Sequence, residues 1–208
     1  MMDREEAARC RSRYQERLAV YRSCGHDREE AMRFICSQAS PFETPVLEIG
    51  CGKGVTSLAL ARLAPFVIGL DLSAEDLSFA RINLGAFGKE HRVHLVHGDA
   101  SMLPFPDGSC STLFMVNALH HLPEPRPILA EAVRVLSSGG KYILADFTPE
   151  GFGIINRVHG LQDREHARFS HSVDDAVREL EALGMECVSR AEGHQEDVAV
   201  LTRTLHTR

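Results

Sequence analysis

This chain of 208 residues lacks the marks of secreted, membrane-spanning and zinc-binding proteins. It has no apolar run that approaches the length of a membrane span. Residues 1–13 are dense in charge, so we expect no secretory signal. The six cysteines are scattered and form no Cys-x-x-Cys pair, which argues against a zinc site and against a disulfide framework. We therefore expect reduced thiols in a cytoplasmic protein, with no resident metal and no membrane partner.

An excess of positive charge is also missing, because the formal net charge is −6. That balance disfavours nucleic acid as a partner. The apolar content of 44% and the charged content of 25% are ordinary for a folded globular protein, and too apolar for a disordered one. At this length we predict one domain, residues 1–208, and the sequence predicts no particular oligomeric state.

The stretch that organises the chain is residues 46–54, Val-Leu-Glu-Ile-Gly-Cys-Gly-Lys-Gly. Its apolar start reads as a buried strand, and apolar residues at helical spacing follow its three glycines. A strand, a glycine turn and a helix in that order indicate nucleotide binding. Glycine suits such a turn because a Cβ atom would block the approach of a ligand to the backbone, and the helix N-terminus offers unpaired N–H groups.

From residue 46 onward, strand and helix patterns alternate, which predicts a doubly wound α/β fold with a parallel sheet and helices on both faces. Two final strand patterns, joined by a short polar connection at 191–197, predict an antiparallel hairpin. The predicted strands are 46–49, 66–71, 93–97, 112–117, 141–147, 185–189 and 198–202. The predicted helices after the first strand begin near residues 55, 73, 127 and 172, and residues 137–140 are expected to cap the third of these.

Two segments lie outside this alternation. Residues 1–40 contain two helical patterns, and we predict an N-terminal helical extension that covers part of the sheet edge or the ligand pocket. Residues 148–171 contain Gly151, Gly153 and Gly160 among many charges. We predict a loop or a short irregular helix there, forming a variable segment on the acceptor side.

Ligands of open α/β sheets bind at the carboxyl ends of the strands, so the residues just after each predicted strand carry the functional argument. Asp71 ends the second strand, where a carboxylate can accept hydrogen bonds from both ribose hydroxyls; the alternative is a helix N-terminal acid. Asp99 follows the third strand and could accept a hydrogen bond from an exocyclic amine, unless Gly98-Asp99 is an ordinary turn. Asn117 and the pair His120-His121 follow the fourth.

Five segments in this order resemble class I S-adenosylmethionine-dependent methyltransferases, in particular the type-11 branch similar to ubiquinone and menaquinone methyltransferases. The segments are residues 46–54, Gly-Leu-Asp-Leu-Ser at 69–73, residues 98–109 with Gly-Asp-Ala and Leu-Pro-Phe-Pro-Asp-Gly-Ser, Ala-Leu-His-His-Leu at 118–122 and Val-Leu-Ser-Ser-Gly-Gly at 135–140. The resemblance covers 45–147. It implies a Rossmann-like seven-stranded sheet, mostly parallel with an antiparallel C-terminal hairpin. Lys53 departs from the commoner Thr or Ser.

The resemblance further implies S-adenosylmethionine as cofactor, S-adenosylhomocysteine as product and a small-molecule acceptor. Glu48 would orient the methionine end behind the loop, Asp71 would hold the ribose, and Leu72 would pack on the adenine. The complete set of implied cofactor residues is Glu48, Gly50, Cys51, Gly52, Asp71, Leu72, Asp99, Ala100 and Asn117.

Methyl transfer needs a general base only if the acceptor is protonated at neutral pH. His120 and His159 are the candidate bases, with helix-start packing and a solvated loop as the respective alternatives. His171, in the same variable segment, is a further candidate. The candidate substrate residues are Tyr14, Tyr21, His121 and His166, and Arg17 on the first helix could close over the cofactor.

Three other functions are alternatives to a small-molecule methyltransferase. A methyltransferase of RNA or protein is disfavoured by the acidic charge and by Asn-Ala-Leu-His at 117–120, where amino-methylating enzymes carry Asn/Asp-Pro-Pro-Tyr. A non-catalytic S-adenosylmethionine-binding protein would keep the cofactor pocket and lack an acceptor site. A nicotinamide oxidoreductase needs Gly-x-Gly-x-x-Gly, whereas the third glycine here comes one position early.

Overall fold

A computed structural model describes residues 3–161 and 169–204. The strands are β1 Val46–Ile49, β2 Val67–Asp71, β3 Val93–His97, β4 Cys110–Val116, β5 Leu136–Phe147, β6 Met185–Gly193 and β7 Glu196–Arg203. The α-helices are α1 Arg4–Ser23, α2 Arg28–Ala39, α3 Val55–Leu63, α4 Ala74–Ala86, α5 Pro125–Val135, α6 Pro149–Gly160 and α7 Val173–Ala182. Short 3-10 helices cover Ala100–Met102 and Leu119–His121.

The strands form one seven-stranded sheet in the order β3-β2-β1-β4-β5-β7-β6. The pairs from β3 to β5 are parallel, whereas β7 runs antiparallel to both β5 and β6. The order reverses between β1 and β4, which places the switch point of the sheet directly beyond the glycine loop. The predicted Rossmann-like sheet with its antiparallel C-terminal hairpin is confirmed.

Helix starts follow the capping residues that the sequence offers. The Asp27 carboxylate accepts hydrogen bonds from the backbone N–H groups of Glu29 and Glu30 at the start of α2. Ser73 caps α4 through the N–H of Asp76, and Ser172 forms a full capping box at the start of α7. These local bonds fix the residues at which the three helices begin.

Two apolar layers pack on the sheet, one on each face. On one face α1, α2, α3 and α4 cover alternate strand residues such as Val46, Phe114 and Ile143. On the other face, α5 and α7 cover the intervening strand residues, such as Leu47 and Leu113. A third, smaller cluster joins α1 to α6 beside the end of β5. The N-terminal helices are therefore part of the packed structure, and α1 and α6 lie near the carboxyl edge, beside the site.

Two sequence-based predictions were wrong. Residues 149–160 form a regular helix, α6, because Thr148 caps its start and Pro149 occupies its first turn, both favourable there despite the glycines. Residues 137–140 do not cap α5; they belong to β5, which begins at Leu136 and pairs with Cys110 across a register shift.

The C-terminal hairpin is tighter than predicted. Only His194 and Gln195 separate β6 from β7, and their φ angles are +53° and +62°. Positive φ at both central residues is the type I′ geometry that matches the twist of paired strands. Asparagine and glycine normally occupy these positions, so the sequence carries no hairpin signal there. Separately, none of the helices in residues 3–161 and 169–204 is long and apolar enough to cross a membrane.

Candidate active site

The glycine loop after β1 is fixed to the end of β2. The N–H groups of Gly50 and Cys51 both donate to the Leu70 carbonyl, at 2.8 and 3.1 Å. Gly50 has a φ of +73°, and a Cβ atom on it would lie 2.7 Å from the Cβ of Ala118. Both the backbone angle and the space therefore require glycine. The result is a narrow backbone passage between the glycine loop and the chain after β4.

Asp71 lies at the carboxyl end of β2, beside this loop. Its Oδ2 accepts a hydrogen bond from the N–H of Gly52 at 2.7 Å, and its Oδ1 accepts one from the N–H of Ser73 at 2.8 Å. The carboxylate is only partly buried. The next side chain, Leu72, is 69% exposed although it is apolar. A carboxylate with an exposed apolar neighbour is a suitable surface for a ribose and a flat base.

The strand β3 ends next to β2, with Asp71 in register with His97. Asp99 and Ala100 follow at the same edge of the sheet. The Asp99 carboxylate is exposed and accepts hydrogen bonds from the N–H and hydroxyl of Ser101, and these bonds lower its pKa. Asp99 therefore caps the short helix Ala100–Met102. Its predicted contact with adenine, and that of Ala100, stay predictions.

Glu48 lies beneath the loop rather than in an open cavity. Glu48 is 2% exposed, and the Ser57 hydroxyl donates to its Oε2 at 2.5 Å. Burial raises the pKa of Glu48 to about 7, the charge of Asp71 raises it too, and the hydrogen bond from Ser57 opposes the shift. Glu48 does not line either of the site cavities described below. In the structure, Glu48 ties β1 to α3 behind the loop.

A cavity of about 320 Å³ opens between the glycine loop, the N-terminal helices and the chain after β4. Its cationic lining comes from Arg17, Arg28 and Lys53, against one lining carboxylate, Asp76. The remaining lining residues are Tyr21, Gly50, Cys51, Gly52, Val55, Thr56, Val116, Asn117, His121 and His159. We call this space the loop cavity; its excess of positive charge suits a ligand that carries a carboxylate.

A second cavity of about 170 Å³, the histidine cavity, shares Tyr21, Arg28, Asn117, His121 and His159 with the loop cavity. Its own lining residues are His120, Phe147 and Ile155. The shared residues form the boundary between the two spaces. Together the cavities offer a larger compartment beside the glycine loop and a smaller one beneath α6.

His120 is held by Asp146 at two points. Nδ1 of His120 lies 2.6 Å from Oδ1 of Asp146, and the backbone N–H of His120 donates to Oδ2 at 2.9 Å. Both side chains are buried, at 1% and 3% exposure. A carboxylate at Nδ1 favours the tautomer with the proton on that atom, which makes Nε2 the basic nitrogen. The histidine cavity therefore has an oriented imidazole in its wall.

A buried acid from β7 lies behind Asn117. Nδ2 of Asn117 donates to Oε1 of Glu196 at 3.1 Å, and Nε2 of His26 lies 3.8 Å from the same oxygen. Glu196 is 0% exposed. The pKa of Glu196 is raised to about 8, chiefly by burial and also by the charge of Asp146, while the hydrogen bond from Asn117 opposes the shift. Burial also lowers the pKa of His26, so both groups are neutral near pH 7.

Only some of the predicted substrate residues line the two cavities. Tyr21, His121 and the candidate base His159 line both cavities. Tyr14 lines neither of them; it packs edge-on against Phe87 and lines a separate groove between α2 and α3. The prediction for His166 falls outside the described residues. His171 lies within hydrogen-bonding distance of the carbonyl of Pro123, at 3.2 Å.

Sequence reasoning missed four residues at the site. Asp146 could have been noticed, because it is the one acid in the apolar run 142–147. Arg28 and His26 lie at the junction of α1 and α2, which the sequence analysis did not connect with the site. Glu196 fell in the expected polar connection. Separately, no group of His, Cys, Asp and Glu in the described part of the chain is arranged to hold a metal ion.

Comparison with known proteins identifies the central region. Residues 47–144 match a family described as "Methyltransferase domain". The chain is 33% identical over 116 residues to a demethylmenaquinone methyltransferase of Clavibacter sepedonicus, which covers 56% of this chain and 46% of that protein. It is 28% identical over 172 residues to the 27-O-demethylrifamycin SV methyltransferase of Amycolatopsis mediterranei, which covers 78% of this chain and 60% of that protein. The matched regions span about half of these relatives' lengths.

Solved structures share the fold. The YcgJ protein of Bacillus subtilis superposes with a TM-score of 0.67 at 21% identity, covering 85% of this chain and 99% of that one. The [4+2]-cyclase SpnF superposes with a TM-score of 0.69 at 17% identity, covering 87% and 83%. Because a cyclase has the same fold, the fold alone does not fix the reaction. The predicted family resemblance is confirmed for the matched residues.

Proposed function

We propose, from the premise that residues 47–144 are a domain of the matched methyltransferase family, that this chain is an S-adenosylmethionine-dependent methyltransferase with a small-molecule acceptor. The observation that carries the proposal is the pairing of the glycine loop with Asp71. Gly52 donates its N–H to that carboxylate at 2.7 Å, and Gly50 faces Ala118 with no space for a Cβ atom.

The residues present fit the cofactor in charge and shape. The two partly buried bonds to Asp71 place its carboxylate at the strand edge where a ribose is held in folds of this type. Leu72 offers an exposed apolar surface to the adenine. Arg17 and Arg28 supply positive charge to the loop cavity for the methionine carboxylate. Asn117, whose Oδ1 is buried without a hydrogen bond to any described residue, suits an ammonium donor.

S-adenosylmethionine supplies a methyl group that is already activated by its sulfonium centre. The chain's own residues then have to hold the acceptor in line and exclude water. Tyr21 and Phe147 provide apolar walls in the histidine cavity, and α6 covers it through Ile155. The small cavity volume of about 170 Å³ leaves room for the reacting part of an acceptor, which limits access of bulk water.

His120 is the general base of this proposal, and Asp146 is its positioning residue. The 2.6 Å contact between Oδ1 of Asp146 and Nδ1 of His120 makes Nε2 the nitrogen that takes a proton from an acceptor hydroxyl or ammonium. His159 lines the same cavity from α6 and is the second candidate base. Asp146→Asn should lower kcat by about 10²–10⁴-fold for a protonated acceptor while cofactor affinity stays within about twofold.

Calorimetry with S-adenosylmethionine and S-adenosylhomocysteine tests the first half of the proposal. We expect micromolar to submillimolar binding with one site per chain. No detectable heat at millimolar ligand would refute it. A screen of small hydroxyl, amine and carboxyl compounds with a methyl-transfer readout tests the second half. Cofactor binding without transfer to any member of a broad panel would favour a non-catalytic or cyclase-like role, for which the SpnF fold is a precedent.

The small-molecule class rests on the relatives, whose names include a menaquinone precursor, a rifamycin and a fatty acid as acceptors. The cytoplasmic location belongs to the proposal as well. All six cysteines are free, which suits a reducing compartment. A macromolecular acceptor is disfavoured by the net charge of −6.

A further inference from the structure

A groove of about 530 Å³ lies between α2 and α3, outside the site described above. Its floor is apolar and largely buried, with Met32, Cys36 and Leu58 each 3% exposed. Ala59 and Leu63 complete the apolar lining on the α3 side. Burial raises the pKa of Cys36 to about 12, so its thiol is neutral and contributes to the lining as an apolar group. The volume lies within the range of small-molecule sites.

The groove begins at the active site and runs away from it. Both α2 and α3 lead from the carboxyl edge of the sheet toward the opposite edge, because α2 precedes β1 and α3 follows it. Arg28 and Val55 line both the groove and the loop cavity. Arg62 and Leu63 line the far end. At 1.5 Å per helical residue, the distance from Val55 to Arg62 is about 10 Å, so the groove is elongated.

Positive charge surrounds the groove. Its lining includes Arg28, Arg33 and Arg62 and one carboxylate, Glu29. Glu29 pairs with Arg22 outside the groove at 2.6 Å, and Arg33 pairs with Glu30 at 2.5 Å. The guanidinium of Arg28 lies 4.8 Å from the ring centroid of Tyr21. No acid in the described residues forms an ion pair with Arg62, so its charge is available at the far end.

Tyr14 also lines the groove, within range of the charges of Arg28 and Arg62. Burial raises the pKa of its hydroxyl, while the charges of Arg28, Arg17 and Arg62 oppose that shift. The groove therefore combines an apolar channel, a buried phenol and, at Arg62, a guanidinium group without an ion pair to a described acid. An anionic head and a linear apolar tail match these features together, whereas a neutral lipid or a cation matches only one of them.

We propose that the groove between α2 and α3 is a second ligand site that binds a linear alkyl carboxylate, with the tail over Met32 and Ala59 and the carboxylate at Arg62. The site is distinct from the cofactor cavity, and its occupation does not depend on the methyltransferase proposal.

The chain contains no tryptophan, which provides a direct reporter. Leu63 is 58% exposed at the far end of the groove, so Leu63→Trp places a single indole there with little risk to folding. Dodecanoate, kept below its micelle concentration and added without any cofactor, should shift the emission to shorter wavelength in a saturable manner. Ile82→Trp, on α4 and 42% exposed, is the matched control and should not respond.

Ligand specificity is tested with the same reporter. Dodecanol and dodecyltrimethylammonium carry the same tail with a neutral or a positive head, and both should bind at least tenfold more weakly than dodecanoate. Arg62→Gln should weaken dodecanoate binding by about tenfold, as expected for the loss of one charge-assisted contact. Arg81→Gln, an exposed arginine on α4, should leave it unchanged.

The groove itself is tested with Ala59→Phe, which fills the channel and should abolish the response. Calorimetry on the tryptophan-free chain and a thermal unfolding curve for each variant separate lost binding from lost folding. Equal binding of dodecanoate and dodecanol, or an unchanged affinity in Arg62→Gln, would overturn the proposal. A concentration-dependent dimer that Ala59→Phe disrupts would also overturn it, because the groove would then be covered by a second copy of the chain.

Discussion

The side chain of Asn117 donates its hydrogen bond to Oε1 of Glu196 over 3.1 Å, joining the end of β4 to the start of β7. Asn117 itself has a φ of +53°, an angle that few residues other than glycine adopt. The backbone N–H of Asn117 donates to the Ala145 carbonyl at 2.9 Å. A residue held from two sides at the boundary of two cavities is preorganised for a ligand.

The first prediction follows from this buried acid. In the folded chain the pKa of Glu196 is about 8, raised from an ordinary value of 4.5. Between these values the unfolded chain releases the proton and the folded chain keeps it, so the free energy of unfolding falls as pH rises through this window. Glu196→Gln should remove this pH dependence. Above pH 8 the free energy of unfolding of the variant, measured by urea unfolding, should exceed that of the natural chain by on the order of a few kcal/mol.

Glu48, with a pKa of about 7, also makes the free energy of unfolding fall as pH rises, but at lower pH. That contribution is common to the variant and the natural chain, so it cancels in their difference. The difference between Glu196→Gln and the natural chain should therefore grow up to about pH 8 and then stay constant. Glu192→Gln, an exposed change on the same hairpin, is the control. A difference that does not vary with pH would show that Glu196 is already ionised in the folded chain.

A second prediction concerns Asp71, the carboxylate that we propose to hold the ribose. Asp71→Asn keeps the size of the side chain and one acceptor but removes the charge. Cofactor affinity should drop by about 10–100-fold, which corresponds to roughly 1.5–3 kcal/mol for hydrogen bonds to a charged group. Glu75→Gln, a neighbouring exposed acid in the first turn of α4, should change affinity by less than about twofold. Unchanged binding in Asp71→Asn would overturn the placement of the ribose.

The glycine loop gives a third prediction with an internal control. Gly50 and Gly88 both have positive φ, +73° and +62°, but only Gly50 faces an obstacle, the Cβ of Ala118 at 2.7 Å. Gly88→Ala should cost only the backbone strain, about 1–2 kcal/mol. Gly50→Ala should cost that plus the displacement of the chain after β4, a further 1–3 kcal/mol. Thermal unfolding measures both, and equal costs would show that the passage is not tight.

A fourth prediction concerns the hairpin. His194 adopts φ +53° in a two-residue turn, a position that favours asparagine or glycine. His194→Asn should raise the free energy of unfolding by up to about 1 kcal/mol, since asparagine accepts this conformation with less strain. His91→Asn, the same change at an exposed turn residue before β3, controls for the change of side chain. A loss of stability would mean that the contact of His194 with Phe34, at 5.6 Å between ring centroids, outweighs the strain.

The fold was predictable from the chain wherever local chemistry and tertiary packing agree. The strand at 46–49 and the helix starts at Ser73 and Ser172 carry periodic apolar residues and caps, which act over a few residues. The helix α6 was missed because three glycines lower its propensity. Its stability comes from Ile154, Ile155 and Val158, buried against α1, which is a tertiary effect.

The glycine loop, Asp71 and several cavity-lining residues could be predicted from the sequence, whereas the buried links between side chains could not. The glycine loop and Asp71 sit next to each other in the sheet because neighbouring strands end together, and that can be read from strand order. The links from Asn117 to Glu196 and from His120 to Asp146 span 79 and 26 positions in sequence. They depend on strand register and on the exact length of the hairpin, neither of which a polar stretch such as 191–197 reveals.

The bond between Gly52 and Asp71 has a kinetic consequence. Together with the two bonds to the Leu70 carbonyl, it fixes the shape of the glycine loop through bonds within the chain that require no ligand. A site that needs no rearrangement carries no penalty for a rare competent state, so association should follow single-exponential kinetics with a rate that rises linearly with ligand concentration. Differences in affinity among variants of this loop should then appear in the lifetime of the complex.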